Sequence, residues 1–264
     1  MKLAIDLVCT SNNSGTKSYN SNFCKSLSKS LIKDDVTIYI SSNLYNEIKG
    51  DLKINKKLNY EIKSNILSIT IFRLIWMQFI LPFSLKKKKI DILYSPMNFV
   101  PLIIKKFNIK SVLCLHTNLP WLYFEKMPGN IIRKIFIKKT MELSISVCDK
   151  LIVNSNYAKN EIINLLNLKD KNIKKVYLGI ADEFLKQNIK KKRIKNFNYK
   201  QNYIFSVMSC VKYHNILNIL KAFANLNKER NFKHKLVIVM QILDRKYYKT
   251  LKNFIHQEKL EKSV

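Results

Sequence analysis

The chain has 264 residues, room for one large or two modest domains, and a hydrophobic content of 47% that supports a sizeable core and excludes global disorder. Its formal charge of +30 and sequence pI near 9.9 point first to nucleic acid or an anionic membrane surface. Lysine far outnumbers arginine and Gly and Pro are scarce, as in proteins from A- and T-rich genomes, whereas a dedicated nucleic-acid binder enriches Arg for bidentate contacts.

From the N-terminus, Lys2–Val8 (KLAIDLV) is a short apolar run ahead of the polar loop CTSNNSG and reads as a buried parallel strand. Tyr19, Phe23, Leu27 and Leu31 then recur at helical spacing within 16–31, and Val36–Ile40 is a second strand. The stretch 66–85 (ILSITIFRLIWMQFILPFSL) is long enough to span a bilayer, but Arg73, Gln78 and Pro82 sit inside it. It reads as a helix over 66–82 packed on a sheet and stopped by Pro82, with an interfacial helix as the alternative. Strands follow at IDILYS (90–95) and SVLCL (111–115), then a helix over 131–147 and a strand KLIVN (150–154). Ser155 stands where an N-cap belongs ahead of a helix over 157–166, and 173–177 is one more strand.

Strands alternating with helical periods predict α/β domains with parallel, doubly wound sheets. Polarity rises and periodicity fades over 185–202, which predicts a linker between a domain at 1–184 and a second unit at 203–264. The second unit repeats the strand–helix grammar: strands over 203–208 and 235–240, helices over 216–226 and 247–256. Two strands are few for a self-sufficient sheet of this type, so the second domain is expected to be incomplete in this chain. The five cysteines (Cys9, Cys24, Cys114, Cys148, Cys210) show no C-x-x-C spacing and follow no secretory leader. They read as reduced, mostly buried thiols of a cytosolic protein, and Cys114-x-His116 is too sparse for a metal site.

Ligands of open α/β sheets sit at the carboxyl ends of strands, where loops feed helix N-termini. Three stretches qualify. Gly15, after the first strand, allows close backbone approach to a ligand, or serves a plain tight turn. His116, directly after SVLCL, can bond a sugar hydroxyl or relay a proton, or it is structural; Asn118 and Trp121 follow in a loop stiffened by Pro120, with the indole a plate for a sugar face. Lys212 and His214, between a strand and the helix beginning after Asn215, offer cations beside a helix N-terminus, or form an ordinary basic loop.

The order of these pieces adds to the reading. The blocks SGTKSYNSNFCKSL, RLIWMQFILP, IDILYSPMNFVP, LCLHTNLPWLYFEKMPGN, CDKLIVNSNYAKNEI, KKVYLGIADEF and YIFSVMSCVKYHNILNILKAFANL resemble the retaining GT-B glycosyltransferases of the group 1, or family 4-like, type. The resemblance implies two Rossmann-like domains facing across a cleft, the first for the acceptor and the second for a nucleotide-sugar. It implies Gly15 in the loop facing the donor phosphates, His116 beside the reacting sugar as the catalytic residue, and Lys212 and His214 on the diphosphate. Asn118 and Trp121 are then acceptor contacts. Leaving-group charge would be stabilised by amides and cations, with no metal and no cofactor apart from the nucleotide-sugar substrate. The chain departs from the family pattern at Lys17, where a second Gly is usual, and at His214, where a Lys is usual. The family's downstream glutamate pair is missing, and Glu258 and Glu261 do not match its spacing.

The implied activity is transfer of a hexose or deoxyhexose, with retention, from a nucleoside-diphosphate sugar to a saccharide or lipid-linked acceptor in cell-surface polysaccharide synthesis. The expected setting is the cytoplasm, with the inner membrane face as a peripheral site reached through its lysine runs. The alternatives are an inactive truncated remnant, or one half of a split enzyme needing a separate donor-side chain. A basic nucleic-acid-binding protein and a sugar-nucleotide epimerase of the same shape stand as minor readings.

Overall fold

In the computed structural model the described residues are 1–8, 15–127, 129–169, 172–185, 201–229 and 232–264. Cys9, Ser14, nearly all of the expected 185–202 linker and its lysine-rich run at 190–193 lie outside them. The chain divides into two units, one comprising Met1–Asn118 with Phe136–Leu185, the other Leu119–Ile135 with Lys186–Val264.

The first unit is built on seven parallel strands: β1 (Lys2–Leu7), β2 (Asp35–Ser41), β3 (Leu58–Lys63), β4 (Ile92–Ser95), β5 (Lys110–Leu115), β6 (Lys150–Val153) and β7 (Ile173–Lys175), in the order β3-β2-β1-β4-β5-β6-β7. Ile5 lies opposite Ile38 on one side and Tyr94 on the other. Strand alternation feeds two cores, as a sheet covered on both faces requires. Ala4 and Val8 join Tyr39, Trp76, Met77, Leu81, Leu85 and Leu93 in one layer. Ile5 and Leu7 join Cys24, Ile38, Ile40, Leu44 and Leu58 in the other. Each fully buried aliphatic side chain contributes about 1.5–3 kcal/mol.

The helices are α1 (Gly15–Lys29), α2 (Ser42–Ile48), α3 (Thr70–Ile75), α4 (Leu81–Lys87), α5 (Leu119–Leu122), α6 (Ile131–Val147), α7 (Asn156–Leu166) and α8 (Asp182–Leu185). Ser155 caps α7, its hydroxyl accepting from the Ala158 amide at 3.0 Å, and Asn167 ends it in the left-handed region at φ 50°. The expectation that Pro82 stops its helix is corrected. A π-helical turn over Trp76–Ile80 joins α3 to α4, and Pro82 lies in the first turn of α4, which runs on to Lys87. The wider turn makes room for the proline ring and needs no N–H from it. Neither β3 nor α2 was expected from the sequence. Strand β3 (LNYEIK) is an edge strand pairing only with β2, so it carries no continuous apolar run. Among the described residues, no helix is long and apolar enough to cross a membrane.

The second unit holds a parallel pair, β8 (Tyr203–Cys210) and β9 (Lys235–Ile242), with α9 (Ile216–Asn227) and α10 (Arg245–Gln257). Cys210, Ile216, Leu220, Phe223, Leu236, Tyr247 and Leu251 form its core. Asp244 caps α10 through the Tyr247 amide at 2.9 Å, and the Tyr247 hydroxyl accepts from the Leu217 amide at 3.0 Å. Phe205 and Val207 of β8 and Val239 of β9 are exposed on the other face of the pair.

Candidate functional site at the sheet switch point

The order of the seven-stranded sheet reverses between β1 and β4, so the crevice beyond their carboxyl ends is where an open α/β sheet takes ligands. Polar side chains gather there from four elements. Asp6 of β1, 1% exposed, pairs with the equally enclosed Arg73 of α3, whose Nη2 donates to Oδ2 of the carboxylate. Arg73 Nε donates to the Val8 carbonyl at 2.9 Å, and the other Asp6 oxygen accepts from the Val8 amide at 3.2 Å. Burial pushes the Asp6 carboxyl up from its ordinary value, and the guanidinium opposes that shift. Asn20 of α1 is fully buried and donates to the Leu7 carbonyl at 3.2 Å and to the Met97 sulfur at 3.4 Å, bridging the ends of β1 and β4.

His116 follows β5 directly. Its amide donates to Asn98 Oδ1 at 2.7 Å, and its ring meets Tyr19 edge-on at 4.6 Å between centroids. The hydroxyls of Tyr19 and Tyr94 are 2.8 Å apart, so the ring rests on a bonded tyrosine pair. Its ring also bonds the backbone of Pro96, which has no N–H, so the imidazole donates to the carbonyl. Among the described residues Nε2 has no partner, so the tautomer that fits this bonding carries its proton on Nδ1 and leaves the buried Nε2 with a lone pair. Burial holds the imidazole below its usual pKa and keeps it neutral, and the Pro96 bond acts in the opposite sense.

Among the described residues, three buried polar atoms at this end of the sheet thus lack partners: Asn20 Oδ1, Arg73 Nη1 and His116 Nε2. Buried polar groups are nearly always satisfied, so such a cluster at a switch point is the candidate place for a ligand. The site residues expected from sequence fall as follows. Gly15 opens α1, exposed, and a Cβ there would meet nothing within 4 Å, so internal packing does not demand glycine. Asn118 is half-buried two residues after His116. Trp121, half-buried in α5, belongs to the second unit, as do Lys212 and His214. The latter two form a 3-10 turn leading into α9, whose first residue follows a left-handed Asn215 at φ 56° with no side-chain cap. Lys212 is exposed, and His214 Nδ1 faces the Ser209 amide at 3.1 Å and its carbonyl at 2.8 Å, taking one or the other by tautomer. Asp6, Tyr19, Asn20 and Arg73 were missed as site residues. Arg73 did carry a signal, as the one cation within IFRLIWMQFILPFSL. Among the described residues no group of three or more His, Cys, Asp or Glu side chains is placed to hold a metal ion.

A Rossmann-like parallel sheet whose switch point carries unpartnered buried polar atoms defines an α/β protein with its ligand crevice at that place. The family model described as Glycosyltransferase Family 4 matches residues 21–184. The chain belongs to glycosyltransferase family 4. No match was found among curated proteins. Solved structures share the fold. A glycosyltransferase from Rickettsia africae ESF-5 aligns with TM-score 0.60 and 15% identity over 100% of this chain and 66% of its own. Anabaena HepE, in complex with UDP and glucose, aligns with TM-score 0.62 and 14% identity over 100% of this chain and 68% of its own. The UDP-GlcNAc 2-epimerase of Methanocaldococcus jannaschii aligns with TM-score 0.54 and 13% identity, covering 99% and 70%. The chain thus spans about two thirds of the length of these structures. Transferases and an epimerase share the shape, so the family match, not the fold, decides the class.

Proposed function

We propose that the protein transfers a hexose or deoxyhexose, with retention at the anomeric carbon, from a nucleoside-diphosphate sugar to a saccharide or lipid-linked saccharide. Its place is cell-surface polysaccharide synthesis in the cytoplasm, at the inner membrane face. Family membership and the complexed relatives support a nucleotide-sugar donor, HepE having been solved with UDP and glucose. The observation that carries the reading is His116: a neutral imidazole at the end of β5, bonded to Pro96 and packed on Tyr19, whose buried Nε2 has no partner among the described residues. Such an atom accepts a hydrogen bond from a sugar hydroxyl and holds the reacting ring in place. In this proposal Gly15 lets backbone approach the donor phosphates, and Lys212 with His214 neutralises the diphosphate as it leaves. Asn118 and Trp121 contact the acceptor. The step runs without a metal, the cations and the amides of α9 carrying that charge.

The test is transfer and donor binding in paired variants. His116→Ala should lower transfer by roughly a hundredfold or more, far out of proportion to any fall in the thermal midpoint. Lys212→Ala should weaken binding of the nucleotide-sugar about tenfold or more, the worth of a charge-assisted bond. Near-normal turnover in the first variant, or unaltered donor affinity in the second, would overturn the assignment.

A further inference from the structure

We propose that the outer face of the helix running from α3 through α4 lies on an anionic lipid bilayer. This deepens the membrane-side placement proposed above, yet it stands on the helix itself and not on catalysis. The inward side of that helix supplies Trp76, Met77, Leu81 and Leu85 to the core. The outward side presents Ile71, Phe72, Ile75, Phe79, Ile80 and Phe83, between 42% and 64% exposed. Ile75, Phe79 and Phe83 follow one another every four residues, and the next step is Lys87. The π-helical turn at Trp76–Ile80 adds one residue per turn and keeps the apolar side chains on one face through Pro82. Single exposed apolar residues need no explanation, but a stripe of six on one helix covers on the order of 500 Å², the size at which patches mark interaction sites.

Charge selects the occupant. Lys86, Lys87 and Lys89 are exposed at the carboxyl end of the stripe, and Lys105 and Lys106 are exposed in the turn Ile104–Phe107. Phe107 of that turn packs on Phe83 at 5.1 Å between ring centroids, and Lys86 Nζ lies 5.5 Å from the Phe107 ring, so stripe and cations form one surface. No carboxylate among the described residues pairs with these five lysines, whereas Lys88 is engaged by Glu61 at 2.8 Å and is left out. A short apolar ridge rimmed by unpaired lysines fits the boundary between acyl chains and negative headgroups, where aliphatic stems bury and ammonium groups reach out. A protein partner would need polar pairing for which this face offers only cations.

Cosedimentation with vesicles tests the inference. The full chain is mixed with phosphatidylcholine vesicles and with vesicles containing phosphatidylglycerol. Binding should appear only with the anionic vesicles and weaken as salt rises. Lys86→Gln/Lys87→Gln/Lys89→Gln should reduce partition about a hundredfold, at about fivefold per lysine. Phe79→Glu/Phe83→Glu should abolish it. Because Phe83 also packs on Phe107, an environment-sensitive fluorophore on Phe79→Cys gives a reading that does not rely on a charged variant folding. A blue shift with anionic vesicles supports insertion. An unshifted probe, undiminished binding by the glutamate variant, or no binding of the wild type to anionic vesicles overturns the proposal. Neither donor nor acceptor enters this assay, so a failure here leaves the transfer reading intact, and a failure of transfer leaves this one intact.

Discussion

Removing the Arg73 guanidinium should cost the first unit about 3 kcal/mol, because it leaves a carboxylate enclosed without its cation. The Asp6 and Arg73 side chains are only 1% and 6% exposed. Arg73→Met keeps the aliphatic stem and its packing near Trp76, over whose ring the guanidinium sits at 4.9 Å. It strips Asp6 of its ion pair and the Val8 carbonyl of its 2.9 Å donor, leaving only the 3.2 Å amide bond to the carboxylate. Breaking a buried pair on one side costs about 3–5 kcal/mol. Burial already favours the protonated Asp6, so the carboxyl takes up a proton in the variant and the loss stays at the lower end of that range. For a unit of this size the thermal midpoint should drop by about 6–12 °C. Urea unfolding followed by Trp76 fluorescence, in a Trp121→Phe background so that one indole reports, measures it. Asp6→Leu/Arg73→Met, which replaces both charges by apolar volume, should return to within about 1 kcal/mol of wild type. A loss below about 1 kcal/mol for Arg73→Met, or a double variant that merely sums the singles, would refute the reasoning.

The imidazole of His116 gives a pH signature. Its folded-state pKa is depressed, so its contribution to stability is complete above the unfolded value of about 6.5 and is lost as pH falls toward the folded value, since the unfolded chain takes the proton first. The thermal midpoint of the wild type should therefore fall between about pH 7 and about pH 5 more steeply than that of His116→Gln, and parallel curves would count against a buried neutral ring. The open face of the β8–β9 pair predicts self-association: Phe205 and Val207 are 56% and 66% exposed side by side with Val239. Phe205→Thr/Val207→Thr should lower the mass seen by light scattering, and a wild type that is monomeric at high concentration would remove the premise.

How much could be read from the chain followed from how evenly each signal was spread. KLAIDL and SVLCL are buried on both faces over most of their length, so their strands appear as short apolar runs, interrupted in the first only by the buried Asp6, and the alternation of short strands with helical periods carried the doubly wound architecture. LNYEIK is an edge, half solvated: Leu58, Tyr60 and Ile62 alternate with Asn59, Glu61 and Lys63, a pattern of single apolar residues and not the continuous apolar run that marks a strand buried on both faces. Proline at position 82 reads locally as a stop, but a stop is a property of the i to i−4 ladder, and a turn of different pitch removes the clash that local rules assume. The site divides along the same line. His116 was legible because position alone, the residue after a buried strand, predicts where it goes. Arg73 was not, because its role depends on contact with Asp6 and Val8 more than sixty residues earlier, which no window over the sequence contains. The same residue that argued against a membrane span on one side of the helix anchors the end of β1 from it, while the opposite side carries the exposed apolar stripe. One helix thereby joins the floor of the candidate site to the surface proposed to meet lipid, so the two proposals, a lipid-linked acceptor and a lipid-facing helix, make the same demand on a single element and can be tested apart.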